Sequence, residues 1–512
     1  MLSIPRAAGS KYIMLPNPDG ERRELGQHES FFYVGQEVFG SLDVMVSRVT
    51  VQVPKAVVLT NESVIAMHKQ VTRRHPMLRS RITKPSECKQ QFLEVQDIDA
   101  ISAYTTSPPA VLFGPLGEAG ELIIQRLMAS ELQRGFDFNQ PPLWRLSVAP
   151  HVNGNLVTFV FAVEHTIGDG ISCVSITQDV LQLFHASTGG GPLREPLTLL
   201  PSCSELLSGK PEQVESNTSP RGPAVHHLPV LGSTVSGDAT TARESLAPRQ
   251  LWVSRSLSAD DVVRLAAACR ARGTTVTGAL TAAIIQALRA SFGEGQWIPS
   301  TASHFGPKSA SEGLDNHGQP DETEGTGRAF QCFFPVSLRG QYAKPIGNEH
   351  VGFHFGGVNT WWACEAASRP SGTPSKRLKA GAPHLDWALA IEARTRLKAG
   401  IELGEPLHMT SKPMSDAALR DSLLAASSVN CGRTKALTVS NRGSFELPAT
   451  LIAYQHTTNI APLGPTFQLS CVTLNGIFYM TLATVSPAVD AATATKVADG
   501  TIAYLKEAAT HD

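Results

Sequence analysis

Two residues with the chemistry to move a proton, His165 and Asp169, lie four apart in a turn flanked on both sides by apolar chain. An unperturbed imidazole titrates near pH 6.5, so one held firmly can take a proton from a hydroxyl near neutrality. That is general-base chemistry. Positioning it falls to the flanking segments. Residues 157–163 are β-branched and aromatic with no proline, which predicts a buried strand. Ile171, Val174, Val180, Leu181 and Phe184 recur at roughly helical spacing, which predicts a helix from about Gly170. His165 then stands at the carboxyl end of a strand and Asp169 at the mouth of a helix. Gly168 and Gly170 are expected to allow backbone angles that a side chain would forbid, tightening the turn. Plainer readings fit the same residues: a satisfied core histidine, and an aspartate that only caps the helix and whose loss costs stability.

The whole chain narrows the function classes. Its 512 residues, 42% hydrophobic, are enough for two or three domains with sizeable cores. Lys and Arg total 44 against 45 Asp and Glu, and this near-balance gives no reason to expect nucleic acid as a partner. The eight cysteines are dispersed without a Cys-x-x-Cys pair, so neither zinc nor a disulfide framework is expected. The first residues lack a long apolar signal segment, and no stretch reaches the length of an integral membrane span, which gives a cytoplasmic reading.

In chain order, residues 44–53 predict a strand and 62–73 a helix, stopped by Pro76 within His75-Pro76-Met77-Leu78-Arg79. A helix over 121–133 leads to Pro141-Pro142-Leu143-Trp144-Arg145 and a strand, and Asn153-Gly154 supplies a hairpin turn into the strand that carries the histidine. Residues 186–250 crowd Gly, Pro, Ser and Thr with little periodicity and predict a crossover linker. Beyond it come a capped helix start at Ser258, the small-residue stretch Arg272–Ile284, and a polar insert at 300–328. A strand then leads to Arg339, with Gly347-Asn348 after it, a second insert spans 367–383, and a helix covers 384–398 with His384 expected to be exposed. His350 and His354, four apart in a glycine-broken extended stretch, do not converge as metal ligands would on a helix, so no metal is expected. The chain closes with a strand over 437–443, another near 467–471, the turn Asn475-Gly476, a strand over 477–483 and a helix from about 490.

His-x-x-x-Asp-Gly, here His165 to Gly170, resembles the motif of the chloramphenicol-acetyltransferase-like superfamily. That group includes CoA-dependent alcohol acetyltransferases, plant and fungal BAHD-type acyltransferases and the condensation domains of nonribosomal peptide synthetases. Four further elements resemble it in the same order: the His75-Pro76 to Leu78-Arg79 start, Phe136-Asp137 followed by Pro142-Leu143-Trp144-Arg145, the helix after Gly273, and Val439-Ser440-Asn441-x-Gly443. The resemblance covers most of the length outside the linker and inserts. It implies an α/β fold of α+β type in two halves, each a mixed sheet flanked by helices, meeting at a channel near His165. The halves would be residues 1–185 and 251–512, joined by the 186–250 linker.

The resemblance also implies roles. His165 is the general base, Arg339 pairs with Asp169, and Ser440 and Asn441 border the channel as candidates for contacting the thioester or the developing oxyanion. His75 is structural, read as a surface or hinge residue. Glu164 replaces the first of two adjacent histidines found in many relatives, and strand alternation should turn it away from His165. The Asp-Phe-Gly-Trp-Gly signature of plant relatives is absent, and no carrier or adenylation module is recognisable. The implied activity is transfer of an acyl group, acetyl foremost, from acyl-CoA as co-substrate to the hydroxyl of a small-molecule alcohol, by a monomer with no bound cofactor and no covalent acyl-enzyme. Two alternatives stand beside it: a standalone condensation-type enzyme fed by an acyl carrier protein, forming an ester or amide, and a non-catalytic binding protein of the same fold.

Overall fold

A computed structural model describes residues 21–53, 58–84, 91–106, 109–186, 195–207, 226–231, 248–300, 328–365, 383–408 and 415–510. Residues 301–327 and 366–382, which make up nearly all of the two inserts, lie outside the described residues, as does most of 186–250.

The strand Leu156–Val163 shows why a run without polar alternation forms here. Val157, Phe159, Phe161 and Val163 face one apolar cluster with the helices Asn61–Arg74 and Gly170–Ala186, while Val160 and Ala162 face another with the helix Gly120–Gln133. Both faces of the strand are buried, so both sets of alternate residues are apolar save Thr158, whose hydroxyl pairs with Thr50 and His151. It lies third in a mixed five-stranded sheet ordered Leu451–Thr458, Met45–Gln52, Leu156–Val163, Trp144–Pro150, Ala110–Leu112.

The second large sheet has six strands, in the order Phe355–Ala363, Ala329–Ser337, Arg433–Phe445, Gly464–Leu474, Ile477–Ser486, Arg249–Leu257. It is mixed as well, since Arg433–Phe445 runs parallel to both of its neighbours. The helices Val276–Ser291, Trp387–Glu402 and Ala491–Thr510 contribute to its core, the first through buried Ala279, Leu280, Ile284 and Leu288.

The halves interlock. Leu451–Thr458, from the stretch read as the second half, crosses to the first sheet and pairs antiparallel with Met45–Gln52, placing His456 opposite Ser47. Val472, Leu474 and Tyr479 of the second sheet join the core cluster of Phe159 and Phe161. The described parts of the linker are also structured: a short helix at Cys203–Leu207, and a strand His226–Pro229 paired with Trp297–Ser300.

Two surface expectations are corrected by packing. His75 is 1% exposed, and its Nε2 meets Asp179 Oδ2 at 2.6 Å. Arg74 reaches the same carboxylate at 3.0 Å, so the end of the Asn61–Arg74 helix is latched onto the Gly170–Ala186 helix. His384 is half-buried, with Nδ1 2.6 Å from Glu507 of the last helix. Both partners lie more than a hundred residues away, beyond the reach of local pattern.

Candidate functional site

The strand bearing the site stops at Val163, and the chain turns through one 3-10 turn, His165–Ile167, before the helix Gly170–Ala186. Glu164 caps that turn, its carboxylate accepting the Thr166 N–H at 2.5 Å. Strand alternation therefore does not set its direction, contrary to expectation: Glu164 is fully buried against the turn it caps. Burial pushes its carboxyl up to about 7, helped by the nearby charge of Asp43 and opposed by the bonds to Thr166.

The glycines act through space rather than backbone freedom. Gly168 is extended, with φ −165°, and Gly170 is not among the residues with positive φ. A β-carbon on Gly170 would lie 2.8 Å from Cδ of Arg442, and one on Gly168 3.2 Å from Cβ of Ser172. The expectation of forbidden backbone angles is thus replaced by close approach of side chains.

His165 stacks on Phe32 of the helix Gln27–Phe39, with ring centroids 4.2 Å apart and 7° between planes. Phe353 and Phe355 of the second half stand at 5.8 and 5.9 Å. Nδ1 is enclosed without a hydrogen-bond partner among the described residues. Nε2 makes no bond to the described residues, and the residue keeps partial exposure. Burial lowers the imidazole to about 4, with Asp169's charge pulling weakly the other way. The ring is neutral at pH 7, with Nε2 able to accept a proton.

Asp169 is not hydrogen-bonded to His165. Its carboxylate receives Arg339 Nη1 at 2.6 Å and Nη2 at 3.1 Å, the Ser172 N–H at 2.8 Å, the Ser172 hydroxyl at 2.9 Å and the His354 N–H at 3.2 Å. Both Asp169 and Arg339 are 3% exposed. Burial alone would raise this carboxyl, but the Arg339 charge and hydrogen bonds outweigh it and hold it at about 2. Asp169 caps the helix through Ser172 and also ties the turn to the second half, so both readings of it describe real contacts.

His350 and His354 serve the same brace. The His350 carbonyl accepts Arg339 Nη2 at 3.2 Å, and His354 Nδ1 pairs with the Tyr342 hydroxyl at 3.0 Å. Ser440 and Asn441 sit half-exposed on the Arg433–Phe445 strand. The Asn441 amide is engaged locally, donating to Thr277 Oγ1 at 3.1 Å and accepting the Gly443 N–H at 3.1 Å. No described contact joins Ser440 or Asn441 to His165.

The aromatic wall of Phe32, Phe353 and Phe355 went unread in the sequence, although Gly352-Phe353-His354-Phe355 after the Arg339 strand hinted at it. Arg442 went unread as well, on a strand that also carries Arg433 and Lys435. Among the described residues no helix is long and apolar enough to cross a membrane.

Comparison with known proteins places the fold. No family model matches the chain, and no curated protein matches it in sequence. Solved structures do match over nearly full length. Polyketide synthase associated protein 5 from Mycobacterium tuberculosis aligns at TM-score 0.56 and 14% identity, covering 97% of this chain and 99% of that one. The trichothecene 15-O-acetyltransferase TRI3 from Fusarium sporotrichioides aligns at 0.57 and 13%, covering 95% of each. The first condensation domain of the CDA synthetase aligns at 0.58 and 12%, covering 96% and 97%. At these identities the likeness establishes a shared architecture, the two-halved fold of acyltransferases and condensation domains.

Proposed function

We propose that this chain, built on the fold that acyltransferases and condensation domains share, moves an acyl group, acetyl foremost, from a CoA thioester to the hydroxyl of a small molecule. The observation that carries this reading is His165, a neutral imidazole with Nε2 unbonded, on a turn held from both halves of the protein. Likeness to an O-acetyltransferase favours a hydroxyl acceptor and an acetyl donor.

In this reading Nε2 takes the acceptor's hydroxyl proton as the oxygen attacks the thioester carbonyl. A carbon–oxygen bond forms, the tetrahedral adduct collapses with loss of the carbon–sulfur bond, and the proton passes from the imidazolium to the departing thiolate. Charge on the ring is transient, and the Asp169 carboxylate favours it electrostatically. Asp169 and Arg339 act as positioning residues, since neither bonds the imidazole. Acyl-CoA enters as co-substrate, and no resident cofactor or acyl-enzyme is needed. Ser440 and Asn441 are assigned to the channel wall.

The test is release of CoA thiol from acetyl-CoA and longer acyl-CoAs across a panel of alcohols and amines, with His165→Ala alongside. Acceptor-dependent release abolished in the folded variant supports the assignment. A second reading, condensation from a carrier-protein thioester, is favoured by the likeness to a condensation domain. It is the outcome if CoA donors fail and pantetheinylated carrier thioesters succeed. Failure of both leaves the non-catalytic binding protein.

A further inference from the structure

We propose that Arg442 binds a carboxylate carried by the substrate, beside the His165 turn. Arg442 lies where the Arg433–Phe445 strand slips register against Gly464–Leu474, between Asn441 and Ser444. Its side chain is 8% exposed, and its stem runs into the space that Gly170 leaves open. Nη1 donates to the Tyr454 hydroxyl at 2.8 Å, and Nε reaches the Cys471 carbonyl at a long 3.4 Å. Nη2 makes no hydrogen bond to the described residues.

The other buried and half-buried arginines near the two sheets are neutralised or saturated, Arg48 by Glu121 at 2.6 Å. Arg339 holds Asp169, Arg74 holds Asp179, Arg23 holds Glu29, and Arg145 holds Glu131. Arg433 lacks an acid but spends its donors on the carbonyls of Cys431, Ile460, Ala461 and Pro465. Arg442 has neither arrangement: among the described residues no carboxylate comes within 4.0 Å of it. A desolvated guanidinium without a counter-ion is costly, and an arriving anion would offset that cost. Its planar donor edge suits a carboxylate.

The place is the reacting one. Gly170 follows Asp169 directly, five residues from His165 on the same turn. His456, two residues from Tyr454 and on the same face of its strand, is held neutral by burial and by the Arg442 charge, and lies close enough to His165 for the two rings to oppose each other's protonation. These groups therefore converge on one region. The long pantetheine arm keeps the phosphates of CoA far from its thioester, so an anion beside this turn belongs to the acceptor or to the acyl chain. With one guanidinium nitrogen fully free, a singly charged carboxylate suits the site better than a phosphate dianion. The inference rests on the acyl-transfer reading only for which substrate bears the carboxylate.

The experiment reads binding without turnover. Thermal unfolding of the full chain is followed against succinate and its neutral counterpart succinamide at constant ionic strength, for wild type, Arg442→Gln and Arg442→Lys. Succinate should raise the wild-type midpoint in a saturable way and succinamide should not. Arg442→Gln should weaken the apparent affinity about tenfold or more, and Arg442→Lys less. An unchanged succinate response in Arg442→Gln, or an equal response to succinamide, overturns the proposal. If Arg442→Gln does not fold, Arg442→Lys decides: unaltered succinate affinity overturns the proposal, and a several-fold loss upholds it. Turnover then locates the carboxylate, by comparing a hydroxy acid with a neutral alcohol under acetyl-CoA, and succinyl-CoA with acetyl-CoA under a neutral alcohol. Absent turnover throughout would remove the acyltransferase reading and leave the binding result standing.

Discussion

Arg339 grips Asp169 from 170 residues further along the chain, with Nη1 on Oδ2 at 2.6 Å and Nη2 on Oδ1 at 3.1 Å. Because both are buried, removing one charge strands the other. Asp169→Asn and Arg339→Gln should each destabilise the fold by roughly 3–5 kcal/mol and lower activity with it. Denaturant unfolding beside the assay checks this, and a variant that keeps full stability would disprove the brace.

His165→Ala should behave differently. The ring is not hydrogen-bonded to the described residues, so its loss should leave the midpoint of unfolding within a few degrees of wild type. Acyl transfer should fall by ~10² to 10⁴. Loss of activity with a collapsed fold would return His165 to a core role.

The pH response separates the base from the scaffold. With His165 at about 4, protonation of the base limits kcat/KM only near that pH, well below the usual histidine range. Stability falls earlier. His68 and His354 are lowered to about 3 and His165 to about 4, so from pH 6.5 downward the unfolded chain binds protons at these three rings that the folded chain refuses, a loss partly offset by Glu164 and Asp43, which are raised to about 7 and take up protons in the folded state over the same range. Asp169, held at about 2, contributes stability that is complete above its unfolded value and is lost progressively from there as pH falls through about 2. Activity lost between pH 6 and 5 should therefore track the fall in unfolding midpoint, with kcat/KM corrected for folded fraction level over that range and declining only as pH approaches 4.

Gly170→Ala should be worse than Gly168→Ala. The added carbon meets the buried Arg442 stem at 2.8 Å in the first case and Ser172 Cβ at 3.2 Å in the second. A cost of about 1–3 kcal/mol is expected at position 170. Shortening Arg442 to Ala in the same chain should recover part of it, and a double-mutant cycle with no coupling would refute the contact.

Local chemistry made the strand, turn and helix around His165 legible, because period and apolar run length act within a few residues. The Asp169–Arg339 contact was anticipated from the resemblance, not from any pattern in the two segments. What stayed hidden depends on distant partners. His75 ends a helix at a proline, which any exposed hinge also does, and only Asp179 on another helix makes it a buried latch. The glycines of the motif suggested unusual torsions, whereas their reason is the side chains of Arg442 and Ser172. The crossing of Leu451–Thr458 has no local signature, since a strand's sequence does not record which edge it joins.

That crossing bears on how the protein comes to exist on the ribosome. Met45–Gln52 emerges early but waits for its outer neighbour until some four hundred residues later, as the pairing of Met45 with Thr458 records. During synthesis the first sheet keeps an open hydrogen-bonding edge, the kind of surface that recruits stray strands. A nascent or truncated chain ending before Leu451 should be aggregation-prone even with every residue of the His165 turn in place, and competence should arrive late and all at once.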